Sequence, residues 1–536
     1  MKYYKILSFT VLAILFTNCQ DYNELVKNKN LPTSAPPALL LTGAMEHMNN
    51  QNAWNGKQGS QSAAQFWIST YDYYGTNNYD QAPFTKATNN FEYTYTTSTT
   101  SGSPSAGPLQ DLVQMDLEAK NLGLPDVNVY SALGKFFRAY YYHLMSQKFG
   151  DVPLSQALKG AESTMPVYDT QKDVYIQILK WLEDANSDLT QLVAANAPLS
   201  GDVFFGNNLS AWQKVVNSFT LRVLISLSKK ENEPGMNVKQ KFSDIVSNPG
   251  KYPVMTGLAD NLQYVYNANY NNYPKNPTSK GRDITRENVG APLLNLTTSL
   301  KDPRTFVFAN PAPALIAGGK LFNDYAAYAG ADPSLSMSDL GNNAQGGKYS
   351  YVNPLRYYAD FAGSKAEPAI IIGYPELCFN IAEGINRGWA TGSADTWYLK
   401  GITASMNHFG ITEGSSITVA DIQNTVYGTV TNISVSAYLA QPAVQYQGGA
   451  AGLTQILNQK YIAFWQNSNW EAFFNQRRTG VPVFTTGPGN GNGNKIAIRW
   501  QYPVAESTAN QKNYNDAIQR QYAGKDDLNG KMWILQ

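Results

Sequence analysis

Apolar side chains recur along several stretches of the chain at the 3.6-residue period of an amphipathic helix. From Ser131 to Phe149 they fall at Leu133, Phe136, Phe137, Tyr140 and Leu144, after which Gly150 predicts a stop and Pro153 follows. A second helix is predicted from Thr170, with Asp173 in capping-box-like register. It runs through Val174, Ile178, Trp181, Leu182, Ala185, Leu189 and Leu192. A third opens at Ser210 with Gln213 in the same register, and passes Trp212, Val216, Phe219 and Val223. Further helices are predicted at 375–387, 394–409, 454–466 and 468–478, the last with Ser468 and Glu471 as a capping box. The pattern predicts a mainly α fold of stacked helical hairpins in one large domain. No 34-residue consensus repeat is visible, so periodicity alone does not establish a solenoid.

Between these helices lie long irregular stretches rich in Tyr, Asn, Gly, Pro and Thr, at 69–108, 264–282, 323–353 and 484–495. Structureless loops of that length are uncommon in compact domains and usually carry function. Their aromatic content argues for ordered loops on a helical scaffold. Three Tyr/Asn clusters stand out, at 71–79, 264–273 and 323–328, with Trp54 and Trp67 preceding the first. Flat aromatic faces and planar amides suit the apolar faces and hydroxyls of a sugar. The predicted ligand-binding candidates are Trp54, Trp67, Tyr73, Tyr74, Asn77, Asn78, Tyr79, Tyr270, Tyr273, Tyr325 and Tyr328. Any one of these rings is also suited to anchor its loop by packing. A peptide, held through backbone hydrogen bonds and pockets, would use the same residue types.

The N-terminus reads differently. Lys2 and Lys5 precede an apolar run from Ile6 to Phe16, too short to span a bilayer and of signal-peptide length. Cys19 follows in the string L-F-T-N-C. This resembles a bacterial lipobox, although Phe16 stands where Leu is usual and Asn18 where a small residue is preferred. The resemblance implies a signal peptide at 1–18 and lipidation at Cys19; the other reading is an ordinary secretory signal with an incidental Cys. Residues 20–40 turn polar and then Pro-rich, so 19–40 reads as a lipid-anchored tether. The remaining cysteine, Cys378, sits in an apolar helical run and reads as a buried spare.

Composition narrows the function. Only 15% of the 536 residues are charged, and 41 Lys and Arg face 40 Asp and Glu. Removing residues 1–18 takes away two lysines and leaves a mature charge near −1. A nucleic-acid binder would need a basic patch or stripe, and the near-zero formal charge argues against one. The three histidines, His47, His143 and His408, lack metal-ligand spacing, and His143 reads as a packed helix residue. No H-E-x-x-H, G-x-S-x-G or EF-hand pattern occurs. Gly347-Lys348 fails the phosphate-loop pattern, and G-P-G-N-G-N-G-N at 487–494 reads as a turn. No catalytic residue, metal or cofactor is predicted, and the chain reads as a non-enzyme.

The order of motifs resembles the SusD/RagB family of outer-membrane nutrient-binding lipoproteins of Bacteroidota, in its SusD-like branch. The strongest segment is A-L-G-K-F-F-R-A-Y-Y-Y-H-L-M-S-Q-K-F-G-D-V-P-L-S-Q-A at 132–157, with Arg138, Ala139 and Tyr140 and then Gly150-Asp151-Val152-Pro153. Pro166 to Ala185, Trp212 to Leu227, Asp302-Pro303-Arg304, 376–389, 398–406, 470–482, Arg499 to Pro503 and Trp533 continue it. Arg138, Arg222, Arg387, Arg477 and Arg478 lie among these motifs. They are predicted to pair with Glu376, Glu383, Glu471 or helix-end carbonyls as scaffold rather than to touch ligand.

The resemblance implies a tetratricopeptide-like helical-hairpin scaffold over 41–536 as the nutrient-binding domain. It implies an outer-membrane, lipid-anchored, surface-exposed protein that captures oligosaccharides or peptides. Its implied partner is a SusC-like TonB-dependent transporter, for which it acts as a lid. Two other classes stay open at this point: a secreted or lipid-anchored hydrolase, and a structural or adhesion surface protein.

Overall fold

The computed structural model describes residues 34–49, 59–71, 75–76, 79–80, 84–85, 91, 95, 107–269, 271–360 and 367–536. Twenty α-helices are present among them. The longer ones that build the scaffold are α1 (Pro37–Asn49), α2 (Pro108–Asn121), α3 (Val129–Phe149), α4 (Gln171–Ala194), α5 (Leu209–Ser226) and α6 (Val238–Ser247). They continue with α7 (Tyr374–Asn386), α8 (Ala394–His408), α9 (Gly449–Ala463), α10 (Glu471–Thr479) and α11 (Gln511–Tyr522). Packing is pairwise along the chain, α1 on α2, α2 on α3, α3 on α4, α4 on α5 and α5 on α6. A second group, α7, α8 and α9, packs together and joins the first where α7 meets α5. The result is the mainly α scaffold of helical hairpins expected from periodicity.

Local chemistry explains where these helices begin. α3 starts at Val129, two residues before the predicted Ser131, because Asn128 is the cap: its side chain accepts from the Tyr130 and Ser131 amides, and Ser131 Oγ accepts from the Asn128 amide. α4 is capped by Thr170 accepting from the Asp173 amide, as the pattern predicts. At α5 the prediction is corrected. Asn208, not Ser210, accepts from the first free amides, and Gln213 reaches across to Asn186 and Thr190 on α4. The Ser468/Glu471 box is corrected too. Ser468 and Asn469 adopt left-handed backbone, the helix opens at Glu471 with no side-chain cap, and the Glu471 carboxylate turns inward.

Burial of α3 also exceeds what its pattern predicts. The expected stripe of Leu133, Phe136, Phe137, Tyr140 and Leu144 is buried, but so is everything from Ala139 to Phe149. The C-terminal segments enclose its last turns: Tyr502 stacks on Phe149, Tyr522 Oη donates to the Phe149 carbonyl, and the Trp500 amide donates to the Lys148 carbonyl. Gly150 ends the helix at φ +90°, where a Cβ would collide with the Gln521 side chain.

Strands are few and short. Among the described residues four antiparallel pairs occur: β1 (Trp67–Ser69) with β5 (Glu287–Val289), β2 (Val152–Pro153) with β3 (Tyr168–Asp169), β4 (Leu262–Tyr264) with β6 (Ala369–Ile372), and β7 (Ser415–Ala420) with β8 (Val426–Ile433). The segments 264–282 and 323–353, expected as loops, contain the short helices Pro277–Asp283 and Met337–Gln345. Most of 69–108 lies outside the described residues. α1 begins at Pro37, so its first turn falls within the stretch read as tether, and Leu41, Ala44, Met45 and Met48 are buried. No helix among the described residues is long and apolar enough to cross a membrane.

Candidate ligand-binding face

The arginine-rich motifs come together in the core. Arg222 on α5 donates through Nε to Glu376 Oε1 at 2.7 Å, through Nη2 to Glu376 Oε2, and through Nη2 to the Ile371 carbonyl at 2.8 Å. Arg478 grips Glu383 with both terminal nitrogens, at 2.6 and 3.0 Å, and Arg387 holds the same carboxylate at 2.8 Å. Lys460 on α9 donates to Asn380 and Asn475 at 2.6 and 2.9 Å. Arg477 reaches the Ile498 carbonyl, and Arg138 the Leu112 carbonyl and Asp116.

Burial would raise the Glu383 carboxyl, but Arg478, Lys460 and Arg387 around it hold it down to about 2. Burial pulls Lys460 down to about 8, and burial with Arg222 and Arg477 nearby pulls His143 down to about 3. This ionic lattice ties α5, α7, α9 and α10 together. It sits in the interior, so Arg222, Arg387 and Arg478 are scaffold there, while Arg138 pairs with the part-exposed Asp116 between α3 and α2.

Parts of the loop clusters adjoin the β1–β5 pair. Trp67 opposes Val289, and the Ala331 carbonyl accepts from the Ala291 amide beside the Gly290–Ala331 bridge. Residues 67–69, 275–291 and 331 thus adjoin one another although more than 200 residues separate the first from the others, whereas Tyr264 packs on Phe204 and donates to the Met45 carbonyl. Trp67 is 2% exposed, stacked on Trp465 at 6.0 Å, with Lys275 Nζ 4.5 Å from its ring centre. Lys275 in turn lies 3.5 Å from Glu287. Tyr79 donates to the Ala63 carbonyl at 2.6 Å and is buried. Tyr273 is buried edge-on against Tyr266, and burial pushes its hydroxyl well above the ordinary tyrosine range. Tyr328 packs on Phe306 and donates to the Phe322 carbonyl. Tyr325 is half-buried, 4.8 Å from Phe306.

The rings of Trp67, Tyr79, Tyr273 and Tyr328 are therefore packed as loop anchors in this conformation. Cys19, Trp54, Tyr73, Tyr74, Asn77, Asn78 and Tyr270 lie outside the described residues. Exposed in these loops are Tyr71, at 42% with the Arg286 guanidinium 4.9 Å from its ring centre, and Asn267, Asn269 and Asn272, while the exposed Asn323 follows Phe322, whose ring lies against Gly428 of β8. Sequence reading passed over Lys275, Arg286 and Glu287. Their signal was the presence of charge inside otherwise uncharged aromatic and amide stretches.

Stacked helical hairpins that display an aromatic and amide loop face define a helical binding protein. A family profile described as starch-binding, associating with the outer membrane, matches residues 29–503, and the chain belongs to this SusD-like family. A SusD homologue from Bacteroides fragilis NCTC 9343 is 30% identical, with a TM-score of 0.77, covering 94% of this chain and 100% of that one. Another from the same strain is 29% identical, with a TM-score of 0.71 and the same coverage, 94% and 100%. A chitin-binding SusD homologue from Flavobacterium johnsoniae shares the fold at 19% identity, with a TM-score of 0.63 over 92% of this chain and 98% of that one. Comparison with curated proteins found no match.

Proposed function

We propose that the protein is a non-enzymatic surface lipoprotein, anchored through Cys19, that captures oligosaccharides and hands them to a SusC-like TonB-dependent transporter as its lid. The observation that carries this is an exposed Tyr71 ring on a SusD-like scaffold, with the half-buried Arg286 guanidinium against it and exposed asparagines at 267, 269 and 272 in the loop that leads to Lys275 and Trp67. An exposed aromatic ring beside hydrogen-bonding amides supplies stacking and hydroxyl recognition together. The family description and the chitin-binding homologue favour a carbohydrate over a peptide.

As a lid the protein works by differential affinity: a glycan shared between lid and barrel favours the closed state only by as much as it binds that state better. Calorimetry of the purified mature protein against glycan and peptide panels is expected to give heats with glycans only. Sustained product release from any of those glycans would replace the receptor with a hydrolase. Mild-detergent pull-down from native membranes is expected to bring down a transporter barrel, and its absence would favour a structural or adhesion role. Labelled lipid is expected to enter wild type and not Cys19→Ala.

A further inference from the structure

The ionic lattice encloses a small cavity, in the interior and away from the loop face. It lies between α5, α9, α10 and the turn 533–535 and measures about 10 Å³, room for a single water oxygen. Arg222, Lys460, Arg478 and Glu471 line it, each no more than 6% exposed. Ile534 and Leu535 cover it, and both are buried. Their turn is held in place by the Ile534 amide, which donates to Gln171 at 2.9 Å, and by Lys229 Nζ, which donates to the Leu535 carbonyl at 3.0 Å.

Glu471 is the group in greatest need of a partner here. Its Oε1 is buried and accepts from no described residue, while Oε2 receives a 3.4 Å contact from Asn475. A carboxylate oxygen left unpaired in the interior is strongly destabilising. Arg222 Nη1 lies 4.0 Å from Oε1, and His143 Nε2 lies 3.9 Å from it. Both separations exceed a hydrogen bond and suit two bonds made through one intervening oxygen. Donors are at hand. Arg222 donates through Nε and Nη2 to Glu376 and Ile371, so Nη1 is unused among the described residues. Lys460 donates to Asn380 and Asn475, two of its three hydrogens.

The wall also selects the occupant. Arg222, Lys460 and Arg478 repel a cation. Burial raises the Glu471 carboxyl, so an occupant meets it as carboxylate or as acid according to pH. Water donates to the first and accepts from the second, whereas a halide suits only the acid.

We propose that this cavity is a site for one water molecule, which bridges Glu471 Oε1 to Arg222 Nη1 and Lys460 Nζ and is shielded from solvent by Ile534 and Leu535. The bridge joins α5, α9 and α10 where Arg222 and Glu471 stand too far apart to bond directly. It does not depend on the receptor reading.

The test is a crystal structure of the full mature protein grown in sodium bromide, paired with deuteron relaxation dispersion on immobilised protein, which reads the number and residence time of interior waters. One peak without anomalous signal is expected, about 2.8 Å from Glu471 Oε1 and from Arg222 Nη1. Glu471→Gln retains an oxygen acceptor and is expected to keep that peak. Glu471→Met removes the acceptor and is expected to lose the peak and the corresponding interior water. Leu535→Ala thins the cover and is expected to shift the water to a shorter residence time.

An anomalous peak in the cavity would replace water with a halide and overturn the assignment. So would a wild-type map with no density there, or an unchanged water count in folded Glu471→Met. If Glu471→Met fails to fold, the wild-type map decides the site by itself. An unchanged residence time in Leu535→Ala would overturn the shielding.

Discussion

At the scale of single residues, the buried titratable groups dominate. Arg222 and Glu376 form a buried ion pair, and Arg222→Met leaves the buried Glu376 side chain without that partner. It is expected to lower stability by about 3–5 kcal/mol, read as a shift in the urea midpoint. The pH dependence follows from the same groups. His143 is held near 3 when folded and returns to 6.5 when unfolded, so the unfolded chain takes up a proton first as pH falls below 6.5. Glu383 is held near 2 against an ordinary 4.5, so its ion pairs stabilise fully above 4.5 and are lost towards 2.

These two effects share one sign on the acid side, each worth about 1.4 kcal/mol per pH unit per proton, while burial raises Asp151 to about 6 and also raises Glu471, and both act against them. Melting temperatures measured from pH 7 to pH 3 check this, and His143→Gln should flatten the portion between 6.5 and about 4.5. Lys460, lowered to about 8 from 10.5, gives a slope of the same sign on the alkaline side, with stability rising between pH 8 and 10.5. Its burial cost is full below pH 8 and is relieved as pH rises past it. Cys378, buried and with its thiol pushed up to about 12 by that burial, should not react with a thiol reagent until the protein unfolds.

At the scale of elements, caps decide helix starts, and they separate two readings of α5. Asn208→Ala should cost about 1 kcal/mol, because its side chain accepts from two free amides. Ser210→Ala, at an exposed position, should stay within about 0.5 kcal/mol. Equal losses in urea titrations would contradict the cap assignment. The Gly150 turn is a stricter constraint: Gly150→Ala combines a positive φ with a clash at Gln521. It is expected to destabilise by about 1–3 kcal/mol and to loosen the docking of α11 on α3, visible as faster amide exchange in 511–522. The Ser468/Glu471 motif shows why spacing alone misleads. A capping box and a buried acid share the same letters, and only the left-handed turn at Ser468 and Asn469 tells them apart.

At the scale of the whole molecule, two groups of helices share one core and one ionic lattice, and the loops that the lattice supports form the outward face. On the receptor reading, Tyr71→Ala is expected to weaken glycan binding about tenfold or more, because stacking is lost, while leaving the melting temperature within a degree or two. Calorimetry and thermal scanning together check the pair of outcomes. A fall in stability without a fall in affinity would reassign Tyr71 to packing, as Trp67 and Tyr273 already are in this conformation. Arg286→Ala should act in the same direction as Tyr71→Ala but more weakly, since the cation supports the ring from its face.

Helix identity, the Thr170 cap and the stop at Gly150 were legible in the sequence because they depend on side chains within a few residues of one another. The same holds for the scaffold role of the arginines, since a guanidinium among apolar helix neighbours has few options other than a carboxylate or a backbone carbonyl. Tertiary structure alone decided the rest. Whether a loop tyrosine is an anchor or an open face depends on what packs over it, and for Trp67 that is Trp465, some 400 residues away. Local periodicity and turn chemistry reach a handful of residues, whereas burial and unpaired polarity are properties of the assembled surface.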